Sequence, residues 1–138
     1  MAGFEIEEHT ADVAVVATGA DLGEALAWLA KGMFSIIAEL EHVRPRETVE
    51  FSVSARDPES LAVDWLNELL YRFEVDGFLP RDFRVAPNQD RTSLRARCVG
   101  ERLDPSRHSI LLGVKAATYH ELQVSHNGEW RIRVVLDV

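Results

Sequence analysis

The stretch that decides the fold is Trp130-Arg131-Ile132-Arg133-Val134-Val135-Leu136-Asp137-Val138. Its apolar residues fall mostly on alternate positions, and polar residues occupy most positions between them. Because strand side chains alternate between two faces, this pattern predicts a strand with one apolar face. The dipeptide Asn127-Gly128 just before it is typical of a tight hairpin. The last strand is therefore expected to pair with the run from Val114 to Ser125.

Strand patterns also cover much of the rest of the chain. They span Phe4 to Glu7, Val13 to Ala17, Thr48 to Ala55, Phe83 to Ala86 and Ser93 to Val99. Apolar residues spaced three and four apart predict one helix over about 22 to 38, after Asp21, and a second from Asp57-Pro58 to near Gly77. The last four strands follow one another without a helix. This order favours an α+β fold with six or seven strands, mostly antiparallel, and two helices packed on one face.

Composition limits both the organisation and the partners of the chain. A length of 138 residues predicts a single domain, residues 1–138. The net charge of −8, from 15 basic and 23 acidic residues, argues against direct binding to nucleic acid and favours a basic partner protein or cations. The chain has no long apolar stretch and no signal-peptide pattern, so no membrane association and a cytoplasmic location are expected. The lone Cys98 is expected to be buried and inert.

The end of the last strand is the first candidate site. Asp137 carries a side-chain carboxylate and, if the chain stops at Val138, the main-chain carboxylate is one residue away. Two such anionic groups repel each other unless water, an arginine or a cation separates them, which makes this end a candidate metal site. Asp12, in His9-Thr10-Ala11-Asp12 between two strands, either offers a further carboxylate to a divalent ion or caps an Asx-type turn. From spacing alone the turn is favoured.

Three other polar segments carry weaker signals. Lys115, His120 and the residues between them form one extended run, in which Lys115 is either open to a partner or ligand or an ordinary surface lysine. His120 is a ligand, an acid/base group or, most simply, a histidine bonded to a backbone carbonyl. Asp64, Asn67 and Glu68 share a helix face, and a solvated face is the simpler interpretation. Asp104 to His108 is interpreted as a turn without special chemistry.

Sequence motifs for catalysis are missing from the chain. It has no Gly-rich phosphate loop, no dinucleotide fingerprint and no His-Glu-x-x-His helix. Carboxylates without an evident nucleophile or positioned base indicate binding more than catalysis.

Four segments, taken in order, resemble the archease family. They are His9-Thr10-Ala11-Asp12-Val13, Asp64-Trp65-Leu66-Asn67-Glu68-Leu69-Leu70, Lys115-Ala116-Ala117-Thr118-Tyr119-His120 and the terminal Asp137-Val138. Each motif alone is weak, but their order and spacing match over the whole chain. Two positions depart from the family pattern: Glu8 stands where aspartate is usual, and Ala117 is smaller than the branched residue often found there.

The resemblance implies a non-catalytic accessory protein. Members of this family activate the RtcB-type RNA ligase of tRNA splicing and RNA repair, promoting its guanylylation by GTP and its multiple turnover. The implied divalent-metal site, for Ca²⁺ or Mg²⁺/Mn²⁺, consists of Asp12, Asp137 and the carboxylate of Val138. Lys115 is implied in activation, with His120 and His9 as further motif residues in contact with the partner. GTP is then used by the ligase and is not bound by this chain alone.

Two other functions stay open at this point. Clustered carboxylates with a divalent ion can activate water, so a metal-dependent phosphoester hydrolase is one alternative. A general chaperone-like module without a single client is the other.

Overall fold

The computed structural model describes residues 2–8 and 12–138, which form two helices, seven strands and one short 3-10 turn. The strands are β1 Gly3–Glu8, β2 Asp12–Gly19, β3 Glu47–Ser54, β4 Phe78–Pro87, β5 Ser93–Arg102, β6 Ala116–Asn127 and β7 Glu129–Asp137. The helices are α1 Leu22–Ile37 and α2 Pro58–Asp76, and the 3-10 turn is Leu40–His42. This is the α+β fold that the sequence predicted.

All strand pairs are antiparallel and form two sheets. The larger sheet has the order β1-β2-β7-β6 and the smaller sheet the order β3-β5-β4. The predicted hairpin at Asn127-Gly128 is confirmed, because it joins the paired strands β6 and β7. The last strand, β7, lies between β2 and β6 in the interior of the larger sheet.

Both helices lie against both sheets. Helix α1 packs on β1, β2 and β7 of the larger sheet and on β4 of the smaller one, while α2 packs on β6, β7 and all three strands of the smaller sheet. Trp65 of α2 is fully buried and its indole N–H donates to the carbonyl of Leu26 in α1, at 2.9 Å. Each sheet therefore buries one apolar face against the helices, and the core lies there.

The helix ends follow the predicted capping chemistry. The Asp21 carboxylate accepts from the Glu24 amide at 2.8 Å, and the Asp57 carboxylate accepts from the Ser60 amide at 2.7 Å, with Pro58 opening α2. Gly77 ends α2 in the left-handed region, with φ of 69°. Neither helix in the described ranges is long and apolar enough to cross a membrane.

The largest difference from a predicted strand is at β4. This strand begins at Phe78, five residues before the predicted Phe83, and its register shifts between Pro80 and Asp82. Proline has no amide hydrogen to donate, but β4 is an edge strand of its sheet, where a proline is tolerated.

Candidate functional site

The two predicted aspartates, Lys115 and Val138 lie at one end of the larger sheet. Strand β2 starts at Asp12, and the register makes Asp12 the direct cross-strand partner of Asp137, near the end of β7. Directly opposed residues of an antiparallel pair lie on the same face with Cβ atoms roughly 4.5–5.5 Å apart. The pairing of β2 with β7 thus brings together the two aspartates that the sequence named as candidate ligands.

Other residues of this end surround the aspartate pair. On its other side Asp137 pairs with Ala116, the first residue of β6, and the Lys115 amide donates to the Asp137 carbonyl at 2.7 Å. Val138 is half-buried and packs against the core. Glu8, at the end of β1, pairs with Val13 and is exposed. We call this end the acidic tip; it consists of Glu8, Asp12, Lys115, Asp137 and Val138.

Charge at the acidic tip is accessible. Asp12 is half-buried, while Asp137 and Lys115 are exposed. Within residues 2–8 and 12–138, none of these three side chains forms an ion pair with another protein group. Like charges directly across an antiparallel pair are destabilising. The arrangement therefore suits a bound cation, and oxygen donors of this kind suit a hard divalent ion.

An asparagine of α2 holds the start of β6 in place. The Asn67 side-chain amide donates to the Ala117 carbonyl at 3.1 Å, and its oxygen accepts from the Ala117 amide at 2.8 Å. The interpretation of Asn67 as part of a solvated helix face was wrong, because the side chain completes the backbone hydrogen bonding of the neighbouring strand. Thr118 adds a bond from its hydroxyl to the Val135 carbonyl, at 2.9 Å. These bonds fix the backbone that carries Lys115.

Of the two predicted histidines, the structure describes His120. It lies four residues beyond Ala116 on β6, is exposed, and has its Nε2 3.7 Å from Glu121 Oε1. Among residues 2–8 and 12–138 its side chain has no bond to a backbone carbonyl, and its own amide donates to the Thr118 hydroxyl at 3.3 Å. His9, with the Thr10 and Ala11 of the predicted turn, lies outside the described residues. The roles of both histidines in partner contact stay predictions.

Sequence reasoning missed a buried ionic network at the other end of the β5–β6 connection. Glu101 is 4% exposed and accepts from the Arg44 amide at 2.7 Å, from the Arg107 guanidinium, and from His108 Nε2 at 3.0 Å. The Asp104 amide donates to His108 Nδ1 at 2.9 Å, so the imidazole proton lies on Nε2. Burial acts to raise the pKa of Glu101, but these donors outweigh it and lower the pKa to about 2.

Nothing in the local pattern indicated this network. The turn at Asp104 to His108 is confirmed, with the Ser106 amide donating to the Asp104 carboxylate at 3.0 Å. Glu101 lies near the end of a strand whose arginines are exposed. Its hydrogen-bond donors Arg44 and Arg107 belong to other segments of the chain, so the local sequence does not indicate that it is buried.

Cys98 agrees with its prediction, and a separate acidic group lies elsewhere on the surface. Cys98 is buried, and its burial raises the pKa of the thiol to about 12, as expected for an inert core cysteine. Within the described ranges, one group of three side chains could bring ligand atoms together, the exposed Glu39, Glu41 and His42 after α1. It lies outside the acidic tip and was not among the predicted ligands.

Comparison with known proteins agrees with this fold and these motifs. The family model of the archease protein family matches residues 4–138. Curated relatives named protein archease include those of Pyrococcus abyssi, 34% identical with 100% of both chains covered, and Methanopyrus kandleri, 37% identical with 98% of this chain and 99% of the relative covered. The solution structure of Methanobacterium thermoautotrophicum protein 1598 superposes with a TM-score of 0.86 at 31% identity, over 100% of both chains.

The two-sheet α+β domain with an acidic strand end defines an archease-like class of fold. The protein belongs to the archease family.

Proposed function

We propose that this protein activates an RtcB-type RNA ligase in tRNA splicing and RNA repair, promoting ligase guanylylation by GTP and multiple turnover without catalysing a reaction itself. The observation that carries the proposal is the direct pairing of Asp12 with Asp137, with Lys115 hydrogen-bonded through its backbone to the same residue. Family membership supports an accessory role of this kind.

The acidic tip would hold a divalent ion through Asp12, Asp137 and the main-chain carboxylate of Val138. Such an ion supplies positive charge that can neutralise phosphate oxygens. The side chain of Val138 packs on the core, which would limit the movement of its carboxylate. Glu8 is exposed at the same end and could affect the local charge, but we assign it no ligand role.

The remaining tip residue would act on the partner. Lys115 is exposed, and its backbone is fixed to β7, so its ammonium group is available to a nucleotide phosphate or a carboxylate of the ligase. A short, fixed connection between Lys115 and Asp137 would let one docking event present both the lysine and the ion. His120 and His9 are included in the proposed contact region because they belong to the motifs shared with the archease family.

The proposal is tested by RNA ligation with the cognate ligase at substoichiometric concentration, with GTP and Mn²⁺. Wild-type protein should convert a reaction that stalls into one with many turnovers, and Asp137→Ala and Lys115→Ala should not. Asp90→Ala, an exposed aspartate outside the acidic tip, and Lys31→Ala, the only other lysine, are matched controls that should activate like wild type. A wild-type protein without effect on its own ligase would overturn the proposal.

The metal site has a readout that is independent of the ligase. Equilibrium dialysis with Ca²⁺ or Mn²⁺ should detect binding to wild type that is lost in Asp12→Asn and Asp137→Asn. A peptide tag added after Val138 should also abolish binding without lowering the unfolding temperature. Retention of full binding in the tagged protein would remove Val138 from the ligand set. Phosphoester turnover by the purified protein that Asp137→Asn abolishes would favour the hydrolase instead.

A further inference from the structure

The connection between β5 and β6 exposes three consecutive large aliphatic side chains. Ile110, Leu111 and Leu112 are 45%, 53% and 38% exposed, and we call them the aliphatic strip. Other large apolar residues that are exposed in the described ranges, Tyr71, Val75 and Tyr119, do not adjoin one another in sequence. A contiguous exposed apolar patch on a protein is a common mark of an interaction surface.

The strip is held in position from both sides. The Leu111 amide donates to the carbonyl of Ile37 at the end of α1, at 2.7 Å, and Ile110 forms a bridge with Ala38. Beyond the strip Val114 is buried, and Lys115 is bonded to Asp137. The side chains are therefore presented by a backbone fixed between the end of α1 and the acidic tip. A preordered apolar surface loses less conformational entropy when it binds.

Acidic groups flank the strip on both sides. Glu39 lines a cavity beside the start of the strip together with His42 and Arg107, and Glu41 lies on the adjoining 3-10 turn. The Arg107 guanidinium is already paired with Glu101 and Asp104, so the carboxylates leave this end net negative. At the other end the exposed cation Lys115 adjoins two carboxylates, Asp137 and its partner Asp12, so the net charge there is also negative. A surface with an apolar centre and an anionic rim is complementary to an apolar patch with a lysine and arginine rim.

We infer that the aliphatic strip is the apolar centre of the surface on which this protein docks its partner, and that the partner presents an apolar patch edged by lysine and arginine. The inference rests on the proposed function, since the partner is taken to be the RNA ligase. It separates two roles: the strip supplies affinity, while the acidic tip beside it supplies activation. One docked orientation then delivers Lys115 and Asp137 together.

The experiment measures binding and activation separately as the protein is titrated against the ligase. The double variant Ile110→Ser/Leu111→Ser should raise both the dissociation constant and the half-maximal activating concentration by about tenfold or more, because two aliphatic side chains no longer become buried. The rate at saturation should stay that of wild type. Asp137→Ala should lose the plateau, while its affinity should fall less than that of the double variant because only one rim charge is removed. Val75→Ser, which removes an exposed aliphatic residue of α2, is the matched control and should change neither value.

Two substitutions of opposite charge at Leu111 test the rim. Comparing them also controls for misfolding of the double variant. Leu111→Lys should weaken binding more than Leu111→Glu, because the partner rim is cationic. A purely structural role of Leu111 would make the two variants equal, and equal or reversed effects would overturn the inference.

The remaining outcomes distinguish this inference from the proposed function. If wild type activates the ligase but the double variant binds it with unchanged affinity, the inference is overturned and the proposed function stays intact. Wild-type binding without activation, weakened by the double variant, would refute the proposed function and retain the strip. A wild-type protein that does not bind the ligase would overturn the inference. Self-association of wild type in sedimentation that the double variant abolishes would also overturn it, because a second copy of the chain would then occupy the strip.

Discussion

The pairing of Asp12 with Asp137 places two carboxylates across one antiparallel step. Without a cation this pair is a local electrostatic cost, and the proposed divalent ion would offset that cost. The same two residues are thus expected to affect stability in opposite directions according to whether a divalent ion is present. This contrast makes the site testable without any partner protein.

We predict that Asp137→Asn removes metal-dependent stabilisation. With free Ca²⁺ or Mn²⁺ about 100-fold above its dissociation constant, the free energy of unfolding of wild type should rise by about 2.7 kcal/mol. The variant should show no rise, and in chelator it should be at least as stable as wild type because the repulsion is gone. Urea unfolding with and without the ion measures both values; an equal rise in the variant would exclude Asp137 as a ligand.

Glu101 predicts a specific pH dependence of stability. Its pKa is lowered from 4.5 to about 2 in the folded protein. As pH falls between these values the unfolded chain takes up the proton first, so the carboxylate's contribution to stability is present above pH 4.5 and is lost towards pH 2. The folded protein should therefore lose part of its free energy of unfolding over this window.

Glu101→Gln should flatten this part of the pH profile. The variant should be less stable than wild type at pH 6, because Arg107 loses its anionic partner, and the difference should shrink as pH falls towards 3. Urea midpoints at several pH values provide the measurement, with the exposed Glu5→Gln as control. Parallel profiles for wild type and Glu101→Gln would contradict the assignment.

At the scale of elements, α1 shows why a poor helix residue is retained. Glycine at position 32 weakens a helix by about 1 kcal/mol relative to alanine. In the structure a Cβ at Gly32 would lie 2.7 Å from Val15 Cγ1 and 3.0 Å from the Phe4 ring. Close packing of α1 on β1 and β2 thus outweighs local propensity, and it helps to hold the strands that lead to the acidic tip.

The contact between α2 and β6 gives a prediction at the same scale. Asn67→Ala should lower the free energy of unfolding by about 1–3 kcal/mol, since the Ala117 amide and carbonyl lose their partners. Hydrogen exchange at the start of β6 should accelerate, and activation of the ligase should weaken because Lys115 is less well placed. Glu74→Ala, on the exposed side of α2, is the control. Unchanged exchange at Ala117 in Asn67→Ala would refute this role.

For the whole molecule, the net charge of −8 would favour association with the basic partner that the proposed function requires. Binding to the ligase should weaken as NaCl rises, because the Debye length falls from about 10 Å at 0.1 M to about 3 Å at 1 M. Surface plasmon resonance over a salt series measures the effect, which should lie mainly in the association rate, while sucrose at equal osmolality is the control. An affinity independent of salt would contradict electrostatic docking.

Sequence alone determined the elements and the chemistry of the acidic tip. Local sterics and hydrogen bonding determine the strand alternation, the helix caps at Asp21 and Asp57, and the hairpin at Asn127-Gly128. These features can therefore be predicted from residues that are close together in sequence. The motifs shared with the archease family likewise identify Asp12, Lys115 and Asp137 from the sequence.

The tertiary structure decided which distant segments meet. It alone paired β2 with β7, turned Asn67 inward to Ala117, buried Glu101 among donors from other segments, and fixed the aliphatic strip at the end of α1. These features depend on contacts between residues far apart in sequence, for which the local pattern carries no signal. The physical reason is that strand register and the burial of polar groups are set by the packing of the whole core.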